Sequence, residues 1–310
     1  FLILYGFTLA ALSAGYWIAL ILVIPIGGLV LRLFLIQHDC GHGSFFSVRA
    51  ADDWLGRCLG VVTFTPYDCW RQSHAIHHAS TGNLDARGFG DVDTLTVREY
   101  FARPRWKRAL YRFYRHPLVL FGVAPTYLFL LRHRLPIGLM TAGRKYWVSA
   151  LATNAAAALI ALVLIRAFGL GPFLAVALPA ILIAGSAGVW LFYVQHQFEQ
   201  TSWDQGSDWS FHSSALHGSS HLALPPFLRW LTANIGVHHV HHLVSRIPFY
   251  RLPEVIKDMP ELGEMNRITA GESWRTFALT LWDESTRQLV TFRAATRQSE
   301  SMVGAAAVSR

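Results

Sequence analysis

The sequence predicts an all-α membrane protein: four transmembrane helices in two hairpins, under a cytoplasmic cap of interfacial helices that carries a histidine-rich di-metal site. Three observations lead there. Apolar residues make up 53% of the 310-residue chain and charged residues 15%, against roughly 45–50% and about 25% in soluble domains. The apolar residues gather into long uncharged runs, with most of the 27 basic residues in the gaps between them. Fifteen histidines fall mostly in tight clusters within the polar segments. These figures exclude a disordered, collagenous or low-complexity chain.

A crossing helix needs about 20 predominantly apolar residues. Phe1–Ala14 reads as the remainder of a truncated span, because the chain opens on Phe1 inside an apolar run. Gly15 allows a reversal into Tyr16–Ile36, a full-length span with Arg32 near its end, where a long side chain can snorkel. Trp147–Ala167 and Pro172–Val194 form a second pair, joined through Gly169-Leu170-Gly171-Pro172. None of these stretches contains Asp, Glu or His. A further run, Leu118–Leu131, has only 14 residues and carries Pro125, which suits an interfacial or re-entrant segment. Leaving it uncounted puts residues 37–146 and 195–310 on one face, together with every histidine. Counting it would split the clusters between the two sides.

The formal charge of +8 invites a nucleic-acid reading, but fifteen basic residues lie between Arg49 and Lys145 and ten from Arg229 onward. That distribution is the positive-inside pattern of cytoplasmic loops, so no nucleic acid partner is expected; the chain is expected to be integral to a membrane, a bacterial inner membrane, with its active site on the cytoplasmic face. Cys40, Cys58 and Cys69 are odd in number and form no disulfide framework, in keeping with a reduced cytoplasmic face. Asp52–Thr63 and Arg98–Arg115 mix basic residues with Trp, Tyr and Phe as interface helices do. With no repeat and no linker, residues 1–310 read as one domain.

The histidines carry the chemistry. His38-Asp39-Cys40-Gly41-His42 closes the second span, and i, i+4 spacing puts both imidazoles on one helical face. His74-Ala75-Ile76-His77-His78 and His238-His239-Val240-His241-His242 each bring i, i+3 and i+4 to one face. His239 points about 100° away on a helix and is left out. One His-x-x-x-His pair is weak, but two His-x-x-His-His clusters on one side of a membrane point to metal, since imidazole suits Fe, Zn, Cu and Ni. Eight ligands exceed the four of tetrahedral zinc and suffice for two metals with open positions. His196, directly after the last span, enters the aqueous layer where His38 leaves it and is the ninth candidate. An imidazole shell lacks charge compensation, so carboxylates should orient the rings through their other N–H. Asp39, Asp68, Asp85, Asp91, Asp93, Glu199, Asp204 and Asp208 lie near enough in sequence. His116, His133, His212, His217 and His221 read as ordinary loop or interface residues.

From about Tyr16 to Glu254 the sequence resembles the membrane fatty acid desaturases, specifically the acyl-lipid (Δ12/ω6- or Δ5-like) branch. The resemblance rests on His38-Asp39-Cys40-Gly41-His42-Gly43-Ser44-Phe45-Phe46, on Pro66-Tyr67-Asp68-Cys69-Trp70 leading into the second cluster, and on Asn83-Leu84-Asp85. It continues in Gln195-His196-Gln197-Phe198-Glu199, in Asn234-Ile235-Gly236-Val237-His238 through Leu243, and in Arg246-Ile247-Pro248. It implies a di-iron centre of two Fe ions bound by the eight box histidines and His196, O2 as co-substrate, and a cis double bond placed in a lipid-linked acyl chain. The cytochrome b5 haem motif His-Pro-Gly-Gly of some branches is absent, which implies a separate ferredoxin- or cytochrome b5-like donor. The run Arg98, Arg103, Arg105, Lys107, Arg108, Arg112, Arg115 could dock an acidic carrier or meet anionic headgroups.

An acyl CH2 has no acidic proton, so the cofactor must carry the oxidation while the protein positions the chain and excludes water. An apolar tunnel lined by the spans and by Leu118–Leu131 is expected to set the double-bond position. Carotenoid ketolases or hydroxylases and alkane hydroxylases share related boxes, but the Pro-Tyr-x-x-Trp approach and the third box favour desaturation. A divalent-metal transporter would place its ligands inside discontinuous spans, and these spans carry no ionisable residue besides Arg32 and Arg166.

Overall fold

Among the described residues, three helices are long and apolar enough to cross a bilayer: Trp17–His42, Arg144–Phe168 and Leu170–His196. The computed structural model describes residues 1–88 and 90–308; Phe89, Ser309 and Arg310, inside the predicted cytoplasmic parts, lie outside the described residues. In chain order the helices that position the site are α1 (Leu2–Ser13), α2 (Val23–His42), α3 (Arg49–Val62), α4 (Tyr67–Ser80), α5 (Val97–Ala102), α6 (Arg105–Tyr114), α7 (Ala124–Leu130), α8 (Arg144–Phe168), α9 (Leu170–His196), α10 (Phe211–His217), α11 (Pro226–Leu231) and α12 (His238–Leu243). A 3-10 turn, Trp17–Leu22, leads straight into α2.

The first apolar run, predicted as the remainder of a truncated span, is a short helix. Helix α1 has 12 residues and at 1.5 Å per residue is about 18 Å long, against roughly 30 Å of hydrocarbon. The other three overrun their predicted limits, because backbone hydrogen bonding and not apolarity decides where a helix stops. Helix α2 runs six residues past Ile36 through both histidines of its box, and ends where Gly43 takes φ 70° in the left-handed region. That conformation caps the last turn and is easiest for glycine.

Helices α2 and α9 run parallel in close contact. Apolar tails solvate apolar side chains as well as a neighbouring helix does, so association in a bilayer depends on close packing by small residues. Val176, Ala180, Ala184 and Gly188 recur every fourth position on α9. A methyl group on Gly27 of α2 would stand 2.7 Å from Ile183 Cβ, so no larger residue fits there without a shift. Leu9 and Leu12 of α1 join Val23 and Ile26 of α2 and Val176 and Ala180 of α9 in one buried cluster. The Ser13 hydroxyl donates to the Phe168 carbonyl at 2.6 Å, which sets the α1–α2 and α8–α9 connections side by side. The histidine-bearing ends of α2 and α9 therefore share the opposite end.

The Leu118–Leu131 segment becomes a short π-helical turn, Val119–Val123, followed by α7. It packs along α9, with Phe129 and Pro125 against Gly185. The predicted interface helices appear as α3 and as the pair α5 and α6. On α6, Trp106, Leu110 and Phe113 are exposed on one face at i, i+4, i+7, as expected for a helix lying on a membrane surface.

The chain is mostly helical but not wholly so. Strand β1 (Leu95–Thr96) pairs parallel with β4 (Leu281–Asp283), which pairs antiparallel with β5 (Gln288–Val290); β2 (His221–Ala223) pairs parallel with β3 (Arg267–Thr269). Strands of two or three residues are too short to show alternation in a sequence.

Candidate metal centre

Four helices deliver the nine predicted imidazoles. Helix α2 brings His38 and His42, α4 brings His74, His77 and His78, α9 brings His196, and α12 brings His238, His241 and His242. They sort into two groups, His38, His42, His74, His78 and His241 in one and His77, His196, His238 and His242 in the other. Within each group the donor atoms all lie within 4.8 Å of one another. Helix α4 serves both groups, because one turn puts His74 and His78 on one face and His77 beside them. Helix α12 does the same with His241 on one side and His238 and His242 on the other.

The hydrogen bonds behind the rings show that they suit a cation. The Nδ1–H of His77 donates to the Asp91 carboxylate, and that of His196 faces the Gly218 carbonyl at 3.3 Å. An oxygen acceptor at Nδ1 holds the proton there, leaving a lone pair on each Nε2. Those two Nε2 atoms nevertheless stand 3.2 Å apart, while His196 to His238 and His238 to His242 are each 3.0 Å, Nε2 to Nε2. Opposed lone pairs repel, and a shared cation converts that repulsion into coordination. In the other group His74 Nε2 lies 3.1 Å from both His42 Nε2 and His78 Nε2, and His241 Nε2 is buried with no hydrogen-bond partner. Five convergent imidazoles exceed the four of tetrahedral zinc, which favours a metal of higher coordination number.

Burial reinforces the donor set. Removal from water, with neighbouring imidazoles adding to it, pushes His74, His78, His238, His241 and His242 well below the ordinary histidine pKa. The rings are therefore neutral at pH 7, as metal ligation requires.

Of the eight carboxylates near the clusters in sequence, two reach a ring. Asp91 holds His77, and Asp39 Oδ1 stands 3.3 Å from His38 Nδ1. Asp68 instead pairs with Arg57 at 3.1 Å, Asp204 pairs with Arg287, and Asp85 accepts the Gly206 N–H. His239 turns away from the other rings of its cluster to the Leu262 carbonyl at 2.9 Å.

The sequence gives no role to several neighbours of the rings, although Tyr67 and Trp70 lie in the motif that leads into the second cluster. The Trp70 ring stacks on His74 at 4.6 Å and 17°, and Phe192 stands 5.0 Å from His77 and 5.1 Å from His196. Each precedes a histidine by four residues on a helix, and that spacing could have found them. Tyr67 sets its hydroxyl between the Cys40 carbonyl at 2.8 Å and Asp53 at 2.9 Å, tying α4 to α2 and α3.

The basic run loses a member. Arg115 is buried and donates to Tyr193 Oη at 2.9 Å, Gln197 Oε1 at 3.1 Å and the Leu279 carbonyl at 2.9 Å, so no carrier can reach it. Arg98 pairs with Glu284 and Arg112 donates to Tyr100 Oη. The surface that remains is Arg103, Arg105, Lys107 and Arg108.

A cavity of about 530 Å³ reaches His38, His74 and His238 from between α2, α9 and the Leu118–Leu131 segment. Its walls are mainly apolar, including Val30, Phe34, Trp70, Leu120, Leu128 and Ile181. An extended hydrocarbon chain is the kind of ligand such a space accepts.

Known proteins carry the same arrangement of sequence. A fatty acid desaturase family model matches residues 14–274. The chain is 43% identical over 284 residues to a fatty acid desaturase of Bacillus subtilis (strain 168), covering 92% of this chain and 80% of that one. It is 32% identical over 280 residues to an sn-1 acyl-lipid omega-3 desaturase (ferredoxin) of Synechocystis, covering 83% and 71%. With the sn-1 oleoyl-lipid 12-desaturase of the same organism it shares 28% over 272 residues, covering 79% and 71%.

Proposed function

The chain belongs to the fatty acid desaturase family, whose members are oxidoreductases acting on acyl lipids, and on that premise we propose that it is an O2-dependent desaturase placing a cis double bond in a lipid-linked acyl chain. The observation that carries the reading is the apolar cavity ending on His38, His74 and His238. A chain lying there has its methylenes against the imidazole centre, and an acyl C–H is too weak an acid for the imidazoles or the Asp91 carboxylate on the wall to deprotonate, so oxidation falls to the metals.

The nine imidazoles would hold two iron ions, five around one and four around the other. When bound, the irons would pass the donor's electrons to O2 and so supply an oxidant strong enough for an unactivated C–H bond. The chain's own residues do the rest. Phe34, Trp70 and Phe192 line the cavity beside the rings, exclude water and fix which carbons approach. Asp91 and Asp39 fix the orientation of His77 and His38. Turnover needs two electrons, and a ferredoxin-like donor is the reading that the named Synechocystis relative supports. Arg103, Arg105, Lys107 and Arg108 offer a basic surface for it.

The same reading places the chain in a bacterial inner membrane, in two hairpins with α1 as part of the first and the histidines facing the cytoplasm. The concentration of basic residues in 37–146 and after 195 supports that orientation. The test is expression in a host whose lipids are only saturated and monounsaturated, followed by gas chromatography of fatty acid methyl esters. A new unsaturated ester is expected; an alcohol or ketone product, or none, would contradict the proposal.

A further inference from the structure

We infer that Arg132 binds the phosphate of an anionic glycerophospholipid whose acyl chain occupies the cavity, so that the chain is registered from its headgroup. This deepens the desaturase reading and rests on it. The cavity that reaches His38, His74 and His238 is also lined by Arg132 and His133, in the turn after α7. A guanidinium on the wall of a mainly apolar cavity needs an acceptor.

None of the chain's groups provides one. Among the described residues the Arg132 side chain makes no ion pair or hydrogen bond, although it is half-buried. Its neighbour Arg134 is engaged through its terminal nitrogens, donating to Asn154 Oδ1 at 2.6 Å and to the Phe129 carbonyl at 3.3 Å. Between Glu99 and Glu199 the sequence has eleven basic residues and no Asp or Glu. Next to Arg132, His133 Nδ1 is closed off from solvent without a partner. Burial and the two flanking arginines lower His133 to about 3, so it is neutral and adds no competing charge.

The surroundings say where the anion comes from. Tyr127, Leu131, Leu135, Ile137 and Met140 are exposed around the turn, and apolar side chains of that density belong against lipid. An acceptor meeting Arg132 therefore arrives in the plane of the bilayer and not from solution. A phosphodiester matches the guanidinium fork in geometry and charge. A neutral glycolipid offers hydroxyls only.

The test is native mass spectrometry of the full-length chain in detergent, titrated with phosphatidylglycerol and with monoglucosyl-diacylglycerol bearing the same acyl chains. The unaltered chain is expected to prefer phosphatidylglycerol about tenfold, the worth of one charge-assisted hydrogen bond. Arg132→Gln should bring that preference within about twofold, whereas Arg132→Lys and the exposed-surface control Arg275→Gln should keep it. Because the Arg132 side chain makes no hydrogen bond or ion pair among the described residues, its replacement by Gln should leave the melting temperature nearly unchanged. An undiminished preference in Arg132→Gln would overturn the inference, as would displacement of phosphatidylglycerol by equimolar coenzyme A, which would point to a soluble phosphate-bearing carrier. The readout needs no turnover. Phospholipid held through Arg132 without any double bond formed would overturn the desaturase reading alone, and turnover with Arg132 indifferent would overturn this inference alone.

Discussion

Asp39 Oδ2 accepts the backbone N–H of Phe249 at 2.7 Å, across 210 residues of chain. The bond ties the last turn of α2 to the segment that follows α12, so it holds His38 and His42 in register with His241 and His242. Both atoms are buried, and Oδ1 of the same carboxylate faces His38.

Replacing Asp39 with Ala leaves the Phe249 N–H without an acceptor, at about 1–3 kcal/mol, and frees the His38 ring. Iron retained after purification should fall about 10- to 100-fold, as is usual when a ligand loses its orienting partner. Asp39→Asn keeps one carbonyl oxygen and should retain more iron than the alanine variant. Equal iron in all three proteins, counted by plasma mass spectrometry, would show that Asp39 is no more than a packing residue.

Two histidines only two positions apart separate ligation from burial. His241→Ala removes a ring whose Nε2 points into the five-membered group, and His239→Ala removes one bonded to Leu262. The first should abolish the new fatty acid and the second should spare it at some cost in thermal stability. Gas chromatography of host lipids and melting of the purified proteins give the two readings.

Gly188 lines the cavity, and a Cβ there would meet Leu31 Cδ1 at an ordinary 3.6 Å. Gly188→Ala therefore fits the helix pair but fills part of the acyl space. Discrimination by one methylene is about tenfold or more in a shaped apolar pocket, so the longest natural acyl product should decline by about that factor relative to the shorter ones. An unaltered product profile would mean that the substrate lies elsewhere.

Acid should destabilise the protein partly through His133. Its pKa falls from the usual histidine value to about 3 on folding, so the unfolded chain binds the proton first. Stability from this group is complete above about pH 6.5 and is lost as pH drops below it, at up to about 1.4 kcal/mol per pH unit. Melting of His133→Phe should depend less on pH between 6.5 and 4 than the unaltered protein does; parallel curves would contradict the assignment.

Much of this centre was legible in the sequence because its signals are local. The spacing of His74, His77 and His78 fixes one helical face, and parity of the apolar runs puts every cluster on one side. The partition of ligands was not legible. That His77 leaves its neighbours to join His196 depends on how α4 crosses α12, which no local pattern encodes. Arg115 was misread for a related reason: a basic run marks a helix surface, but Tyr193 and Gln197 come from a helix some 80 residues away. Strands β1 to β5 went unseen because pairing over two or three residues is set by the rest of the fold.

The central claim is that two irons sit in separate, wholly imidazole surroundings beside one apolar cavity. Anomalous diffraction at the iron edge from crystals of the purified protein tests it most directly. The account predicts two iron peaks per chain, one among His38, His42, His74, His78 and His241 and the other among His77, His196, His238 and His242. A single peak, a zinc signal in their place, or iron bound by carboxylates away from these rings would contradict it.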